Sequence, residues 1–307
     1  MKHVFIIDSE SFYGQRWRMD GLLESIRRRF ADTQDGCFAV EFSRFPRDAI
    51  GIVQKHIDKT DNLRVHAVGG DAVLSDCLNA IAGRPNAELA PVPYGKTNRF
   101  IISFGEQNAE TFKNIEYATN ANIIPTDVIV SGSIYALTAC AIGFAPAVEI
   151  KTMQGENGGT FATDIKRFFV ALCLACRKNT ASRHYRIEID GIDYSGIYEF
   201  VLIVNAPYFK QDGEPVPGVS CTDGFMEVLL FRPAGIFNAL TNFAKYRNGK
   251  LPSGYECVTA RKAEISCGQP MHVQMDSEYF SDTQMTFKVA PQFAKIAAPS
   301  GARYRES

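Results

Sequence analysis

Three short segments carry residue types suited to phosphate chemistry. The first is Val65-His66-Ala67-Val68-Gly69-Gly70-Asp71. An apolar strand ending in two glycines lets backbone N–H groups approach a phosphate with no Cβ in the way. A helix resuming at Val73 turns its N-terminal N–H groups toward the same place, which favours an anion. Asp71 is suited to orienting a nucleotide or holding a metal ion, although an ordinary strand-to-helix turn uses the same residues. The second segment, Ala90 to Phe100, places Gly95, Lys96, Thr97 and Asn98 just beyond another strand. Neither segment is a Walker loop, because the chain has no Gly-x-x-x-x-Gly-Lys-Ser/Thr. The third is Met275-Asp276-Ser277-Glu278, a strand end or turn in which two carboxylates flank a small residue. Period-two geometry places both on one face. Such a pair can bind Mg²⁺ or take a proton from an attacking hydroxyl, and a solvated turn is the plain alternative.

The elements that must position these segments differ between the two parts of the chain. In the first part, strand signals (Val4 to Asp8, Cys37 to Phe42, Leu63 to Val68, Leu89 to Val92) alternate with helical spacing (Arg18 to Phe30, Arg47 to Lys59, Val73 to Ile81). That alternation predicts a mainly parallel sheet with helices on both faces, whose ligand crevice lies at the carboxyl ends of the strands. From Asn122 the pattern turns to strands. These are Asp127 to Val130, Ser133 to Ile142, Tyr198 to Asn205, Gly224 to Phe231, Ala263 to Cys267, His272 to Met275 and Gln284 to Val289. A hairpin is expected about Asp190-Gly191. One long helix, Asp164 to Lys178, interrupts these strands, and loops are expected at Gly155 to Thr160 and Gln211 to Ser220. This part reads as an antiparallel sandwich or a strongly bent sheet. The expected domains are 1–125 with a returning tail 289–307, and 126–288.

Composition bounds the function classes. The 307 residues are 46% hydrophobic and 22% charged, the profile of a chain with a substantial core. A formal net charge of −1 gives no general attraction to nucleic acid or anionic membrane. The longest strongly apolar run, Phe168 to Cys176, is too short to span a bilayer. The start of the chain has no signal-peptide pattern. The expectation is therefore a cytoplasmic protein, with peripheral membrane contact at most. Eight cysteines are scattered without a second metal-type pair beside Cys173-x-x-Cys176, so these two are expected to be buried helix thiols. His66 reads as a core residue and His184 as part of a solvated face. Lys166, Arg167, Arg177 and Lys178 read as the charged ends of a core-packed helix, with docking on anionic lipid as the alternative.

In order and spacing, these segments resemble the diacylglycerol kinase catalytic-domain family, which includes bacterial lipid kinases and sphingosine kinases. Gly69-Gly70-Asp71 keeps the start of its nucleotide loop, with Asn79 and Gly83 near its helix end. Pro93, Gly95, Asn98 and Phe100 keep its next loop. Asp127 stands where its second domain starts, and Ala141-Ile142-Gly143-Phe144 resembles its strand ending in Gly-Phe. Thr222 to Val228 resembles its Asp-Asp-Gly-Leu segment. Asp276 and Glu278 keep the outer positions of its Asp-Gly-Glu, and Lys288-Val289-Ala290-Pro291 resembles the returning tail. The chain departs from the pattern at Asp8-Ser9, Ala72-Val73, Lys96, Arg99 and Ser277. Lys96 and Arg99 add positive charge where a hydroxyl and a carboxylate are usual.

The resemblance implies an NAD kinase/diacylglycerol kinase-like fold, with a Rossmann-like N-terminal domain and a β-sandwich-like C-terminal domain. It implies transfer of the γ-phosphoryl group of ATP, with Mg²⁺, to a lipid hydroxyl at the membrane surface. Gly69, Gly70, Asp71, Gly95, Lys96, Thr97 and Asn98 would hold ATP in the cleft between the domains. Asp276 would act as general base beside Glu278, and Asp71, Asp127 and Glu278 would serve the metal. Diacylglycerol, a polyprenol and a sphingoid base all fit as substrate. Two other readings stand beside this one. A regulatory protein of the same fold would bind nucleotide or lipid without turnover, and an NAD kinase relative would add an Asn-Glu pair that the corresponding region lacks. Exposed strand edges in the second domain would suit a homodimer.

Overall fold

The computed structural model describes residues 1–33, 37–59, 62–105, 109–153, 160–176, 182–211, 213–233, 235–252 and 254–304. The chain divides into two compact units, Met1–Val128 with Pro291–Glu306, and Ile129–Ala290.

In the first unit, β1 (Lys2–Asp8), α1 (Arg16–Arg29), β2 (Phe38–Ser43), α2 (Asp48–Ile57), β3 (Leu63–Gly69), α3 (Asp71–Ile81) and β4 (Ala87–Pro93) follow in turn. The strands run parallel in the order β2-β1-β3-β4. Val4 to Ile7 and the whole of β3 are buried, as a strand covered on both faces requires. On one face Phe5, Ile7 and Val68 pack with Leu22, Ile26 and Phe30 of α1. The arginines 27–29 sit in the last turn of α1, where cations suit the helix dipole. Short helices that the spacing did not reveal, α4 (Arg99–Ile102), α5 (Ala109–Lys113) and α6 (Ile115–Thr119), lead to β5 (Asn122–Ser131). Each has only four or five residues, too few to display a helical period.

The second unit continues with β6 (Ile134–Ala136), β7 (Ala139–Gly143), α7 (Phe144–Met153) and α8 (Thr160–Cys176). Next come β8 (Arg183–Ile189), β9 (Ile192–Asp193), β10 (Gly196–Tyr198), β11 (Phe200–Val204) and β12 (Met226–Phe231). Then follow α9 (Ile236–Arg247), β13 (Tyr255–Ala260), β14 (Lys262–Met275) and β15 (Glu278–Ala298). Strands β13, β12, β11, β7 and β14 pair antiparallel in that order; β7 meets β14 at residues 273–275 and β8 meets it at 263–266, while β15 pairs along its other edge. Along β11, Val201 and Ile203 enter one apolar core, while Phe200, Leu202 and Val204 enter the other with α7, α8 and α9. Burial on both faces explains why this strand is apolar throughout rather than alternating. The end of β15 returns to the first unit, where Ile296 pairs parallel with Leu89 of β4.

Several expectations are corrected. The second part holds α7 and α9 besides the expected long helix. Seven of the ten residues of α7 are buried, so no polar face marks its period. In α9 the spacing of Ala239, Phe243 and Tyr246 was legible, but the run lay between strand-like segments. The stretch Ser133 to Ile142 breaks into β6 and β7, Tyr198 to Asn205 breaks at Glu199, and the two segments 263–267 and 272–275 are one strand with a register shift between Ser266 and Met271. Cys173 and Cys176 are exposed, because α8 turns Ala171, Leu174 and Ala175 inward instead. Phe168 and Phe169 are exposed on the same helix. The expected loop at Gly155 to Thr160 lies almost wholly outside the described residues, as do Arg177 and Lys178. His66 is fully buried and His184 exposed.

Candidate functional site

In the first unit, three loops meet at the carboxyl ends of β1, β3 and β4. The contact is backbone on backbone. A Cβ built on Gly95 would stand 2.3 Å from both Cα and N of Gly70, and one on Gly70 would stand 2.9 Å from the Thr97 carbonyl oxygen. A Cβ on Gly69 would fall 2.8 Å from the Cβ of Asp8. The glycines are therefore needed where the loops close on one another, whatever they do for a ligand. Two hydrogen bonds lock the closure: Tyr94 N–H donates to the Gly69 carbonyl at 3.0 Å, and Asp71 N–H to the Thr97 carbonyl at 2.9 Å. Tyr94 anchors the second loop by stacking on Phe12, with ring centroids 5.1 Å apart, and the Arg18 guanidinium lies over the Tyr94 ring, 5.3 Å from its centroid.

No side chain caps the first turn of α3; its first N–H, that of Asp71, is taken by the Thr97 carbonyl. Lys96 and Thr97 are exposed beside that turn, and the Asn98 amide donates to the Gly95 carbonyl at 2.8 Å. Asp71 is buried and held by Arg99. Its Oδ1 accepts from the Arg99 N–H and its Oδ2 from Arg99 Nε, both at 2.9 Å. The guanidinium neutralises the carboxylate at close range. Asp8 closes the first loop, its carboxylate accepting from Glu10 N–H at 3.1 Å and the Ser11 hydroxyl at 2.5 Å. Asp127, fully buried on β5, accepts the N–H of Gln292 at 2.7 Å. Gln292 has a left-handed φ of 52°, and this bond secures that unusual backbone.

In the second unit, Asp276 and Ser277 form a two-residue hairpin turn between β14 and β15, with Met275 paired to Glu278. Asp276 takes a φ of 46°, as the first loop position of a primed hairpin turn requires. Its side chain is 4% exposed. Its Oδ2 accepts from Leu137 N–H at 2.7 Å, and its Oδ1 from Thr138 and Ala139 N–H at 3.0 and 3.1 Å. Asp276 N–H returns a bond to the Ala139 carbonyl at 2.9 Å. The carboxylate thus ties the turn between β6 and β7 to this hairpin. A carboxylate offers about four acceptor sites, so three N–H donors leave Oδ2 with capacity for one more. Glu278 lies half-buried at the start of β15.

Glu199 was not singled out in the sequence, and Glu227 stood there only within the Thr222 to Val228 segment. Glu199 sits between β10 and β11, 2% exposed. Burial pushes its pKa up to about 7, against one Asn242 amide donor at 3.4 Å. Glu227 on β12 is also pushed up to about 7, by burial and then by the Asp223 charge. Perturbed carboxyls of this kind are candidate proton-exchanging groups. The signal was a lone acidic residue inside the apolar run Tyr198 to Asn205. Among the described residues, no group of three or more His, Cys, Asp or Glu side chains is arranged to hold a metal ion by itself. A Mg²⁺ site needs only one or two carboxylates when phosphate oxygens supply the rest.

Residues 4–131 match the diacylglycerol kinase catalytic domain, and residues 151–298 match the YegS C-terminal NAD kinase beta sandwich-like domain. The chain belongs to the diacylglycerol kinase catalytic-domain family. A provisionally named lipid kinase of Staphylococcus aureus (strain JH9) is 23% identical over 237 residues, 75% of each chain. Its counterpart in strain Newman shares the same identity over the same span. A crystal structure of a provisionally assigned diacylglycerol kinase from Bacillus anthracis str. Sterne superposes with a TM-score of 0.73 at 19% identity, covering 98% of this chain and 96% of that one. The family's two-domain fold is therefore present. No helix among the described residues is long and apolar enough to cross a membrane.

Proposed function

We propose that this family member transfers the γ-phosphoryl group of ATP to the hydroxyl of a lipid. The observation that carries the reading is the convergence of the loops after β1, β3 and β4 beside the amino end of α3, which no side chain caps. Backbone N–H groups and an exposed lysine there suit a polyphosphate. Gly69, Gly70 and Asp71 with Gly95, Lys96, Thr97 and Asn98 would bind and orient the nucleotide. Lys96 supplies positive charge where the phosphates lie. Mg²⁺ would neutralise charge on the transferring group, held by phosphate oxygens with Asp71, Asp127 or Glu278. Asp276 would receive the hydroxyl proton of a diacylglycerol-like, sphingoid or polyprenol substrate presented at a membrane surface.

A specific observation favours a second reading of the same fold. Asp71 is neutralised by Arg99, and Asp276 is engaged by three backbone N–H groups. A protein that binds nucleotide or lipid for regulation, without turnover, needs no free carboxylate at either place. The test is transfer of labelled γ-phosphate from Mg·ATP to a micellar panel of lipids, with Lys96→Ala and Asp276→Asn run alongside and each variant's melting curve recorded. Transfer to one lipid, weakened by Lys96→Ala in a fully folded variant, supports the kinase. ATP binding with no transfer to any lipid supports the regulatory reading.

A further inference from the structure

Helix α3 joins two different places. Its first residue, Asp71, stands at the glycine loops, and its last turn, with Leu78 and Ile81, walls a cavity of about 330 Å³. The cavity is completed by the turn from Ala82 to Ala87 and by Phe293, Ala294 and Lys295 of β15. It lies at the amino end of β4, whereas Gly95 follows the carboxyl end. Seven strand residues separate the two, roughly 20 Å of β-strand. The cavity is thus distinct from the nucleotide loops.

Its chemistry is divided. Leu78, Ile81, Ala87 and Phe293 make the walls apolar, while Arg84 and Lys295 bring two positive charges to it, and no acidic side chain lines it. Lys295 is fixed in place, its ammonium donating to the Pro85 carbonyl at 2.6 Å. An ammonium has three N–H donors, so others remain for a ligand. The walls offer no polar side chain to read a sugar or a base, so the body of a ligand must be aliphatic. The volume sits at the low end of ligand-sized pockets, about 300–1,000 Å³, which suits one alkyl chain rather than two.

We propose that this cavity binds a single-chain anionic amphiphile, with the alkyl chain against Leu78, Ile81 and Phe293 and the carboxylate or phosphate on Arg84 and Lys295. Charge complementarity sets the class of head group, and the apolar wall sets the tail. The site does not depend on turnover at the glycine loops, so its test needs neither ATP nor activity.

The test is calorimetric titration of the full chain with decanoate, decyl phosphate, decanol and decyltrimethylammonium, each below its micelle concentration. Saturable one-to-one binding of at least one anion is expected, at least about tenfold tighter than decanol or the cationic amphiphile. The double substitution Arg84→Gln with Lys295→Gln, at two exposed positions, should remove that preference and leave decanol binding unchanged. Ala82→Phe should fill the cavity and abolish binding of all four, with the melting temperature confirming a folded chain. Comparing decanoate with decyl phosphate shows which head group the pair of cations prefers. Equal binding of the cation and the anions, or anion binding that survives the double substitution, would overturn the proposal.

Discussion

Two carboxyl groups of the second unit are buried to nearly the same extent and live in opposite chemical conditions. Asp276 is 4% exposed and Glu199 is 2% exposed. Asp276 meets three backbone N–H groups at 2.7 to 3.1 Å, donors fixed by the backbone of residues 137–139. Glu199 meets one side-chain amide at 3.4 Å, and its Oε1 accepts no hydrogen bond among the described residues. A buried charge is tolerated where hydrogen bonds replace its water, and otherwise the group takes up a proton. So Asp276 is built as a tie, and Glu199 titrates near neutrality. Burial by itself predicts neither state. The donors around the carboxyl decide.

Four substitutions test how donors and burial hold a carboxyl group. The largest effect is expected for Asp276→Asn, because an amide offers one acceptor and turns N–H donors toward N–H donors. Unfolding free energy should fall by about 3–5 kcal/mol, read by urea denaturation. A loss below about 1 kcal/mol would mean that the three bonds contribute little and that the contrast with Glu199 is unfounded.

Next comes Arg99→Met, which leaves Asp71 buried with the backbone N–H of residue 99 as a remaining donor. A loss of about 2–4 kcal/mol is expected by the same measurement. It would place a guanidinium partner beside the N–H cluster as an equivalent way to hold a buried charge. A neutral result would show that water reaches Asp71 when the arginine is shortened.

Glu199→Gln should act in the other direction and depend on pH. The folded pKa is raised from 4.5 to about 7, so the wild-type contribution is complete below the ordinary carboxylate value and is lost as pH rises through about 7. At a pH of about 8 the glutamine variant should be more stable than the wild type by roughly 1–3 kcal/mol, and near pH 4 the two should agree. A difference between the curves that does not change with pH would remove Glu199 as a neutral buried acid.

The smallest effect is expected at Asp190, which repeats the Asp276 geometry at the surface. It too sits in a hairpin turn with a left-handed φ, 47°, and its carboxylate accepts from Arg261 and Lys262 N–H at 3.0 and 2.9 Å. It is exposed, so water replaces the partners when they are lost. Asp190→Ala should lower stability by about 1 kcal/mol or less in thermal melts. A loss as large as that at Asp276 would mean that bond count, not burial, sets the scale.

Much of the first unit was readable because each strand and helix there has its own period and its own punctuation. β3 ends in Gly69-Gly70, α3 follows at once, and β4 ends before Gly95. The second unit was harder for a physical reason. In α7 seven of ten residues are buried and no polar face marks a helical period, so it gave no pattern to read. Of the candidate site, the loops at the strand ends were legible as glycines beside polar residues. The reason for the glycines was not, since the closest approach to Gly70 is made by Gly95, 25 positions away in the chain. The exposure of Cys173 and Cys176 was likewise hidden. The apolar run of α8 is long enough to be read as core on every side, and only its neighbours show which stripe is covered.

Local sequence was enough for the alternation of β and α elements, the place where that alternation ends, the hairpin at Asp190, and a strand end or turn at Asp276. These follow from local preferences: side-chain period, left-handed φ at turn positions, and strand ends marked by glycine. The tertiary structure alone decided what each carboxylate is for. Asp71 meets Arg99 from 28 positions away, Asp127 meets Gln292 from 165, and Asp276 meets the 137–139 backbone from 137 to 139 away. A carboxylate's charge state depends on the donors within about 3 Å of it, and folding brings those donors from distant parts of the chain.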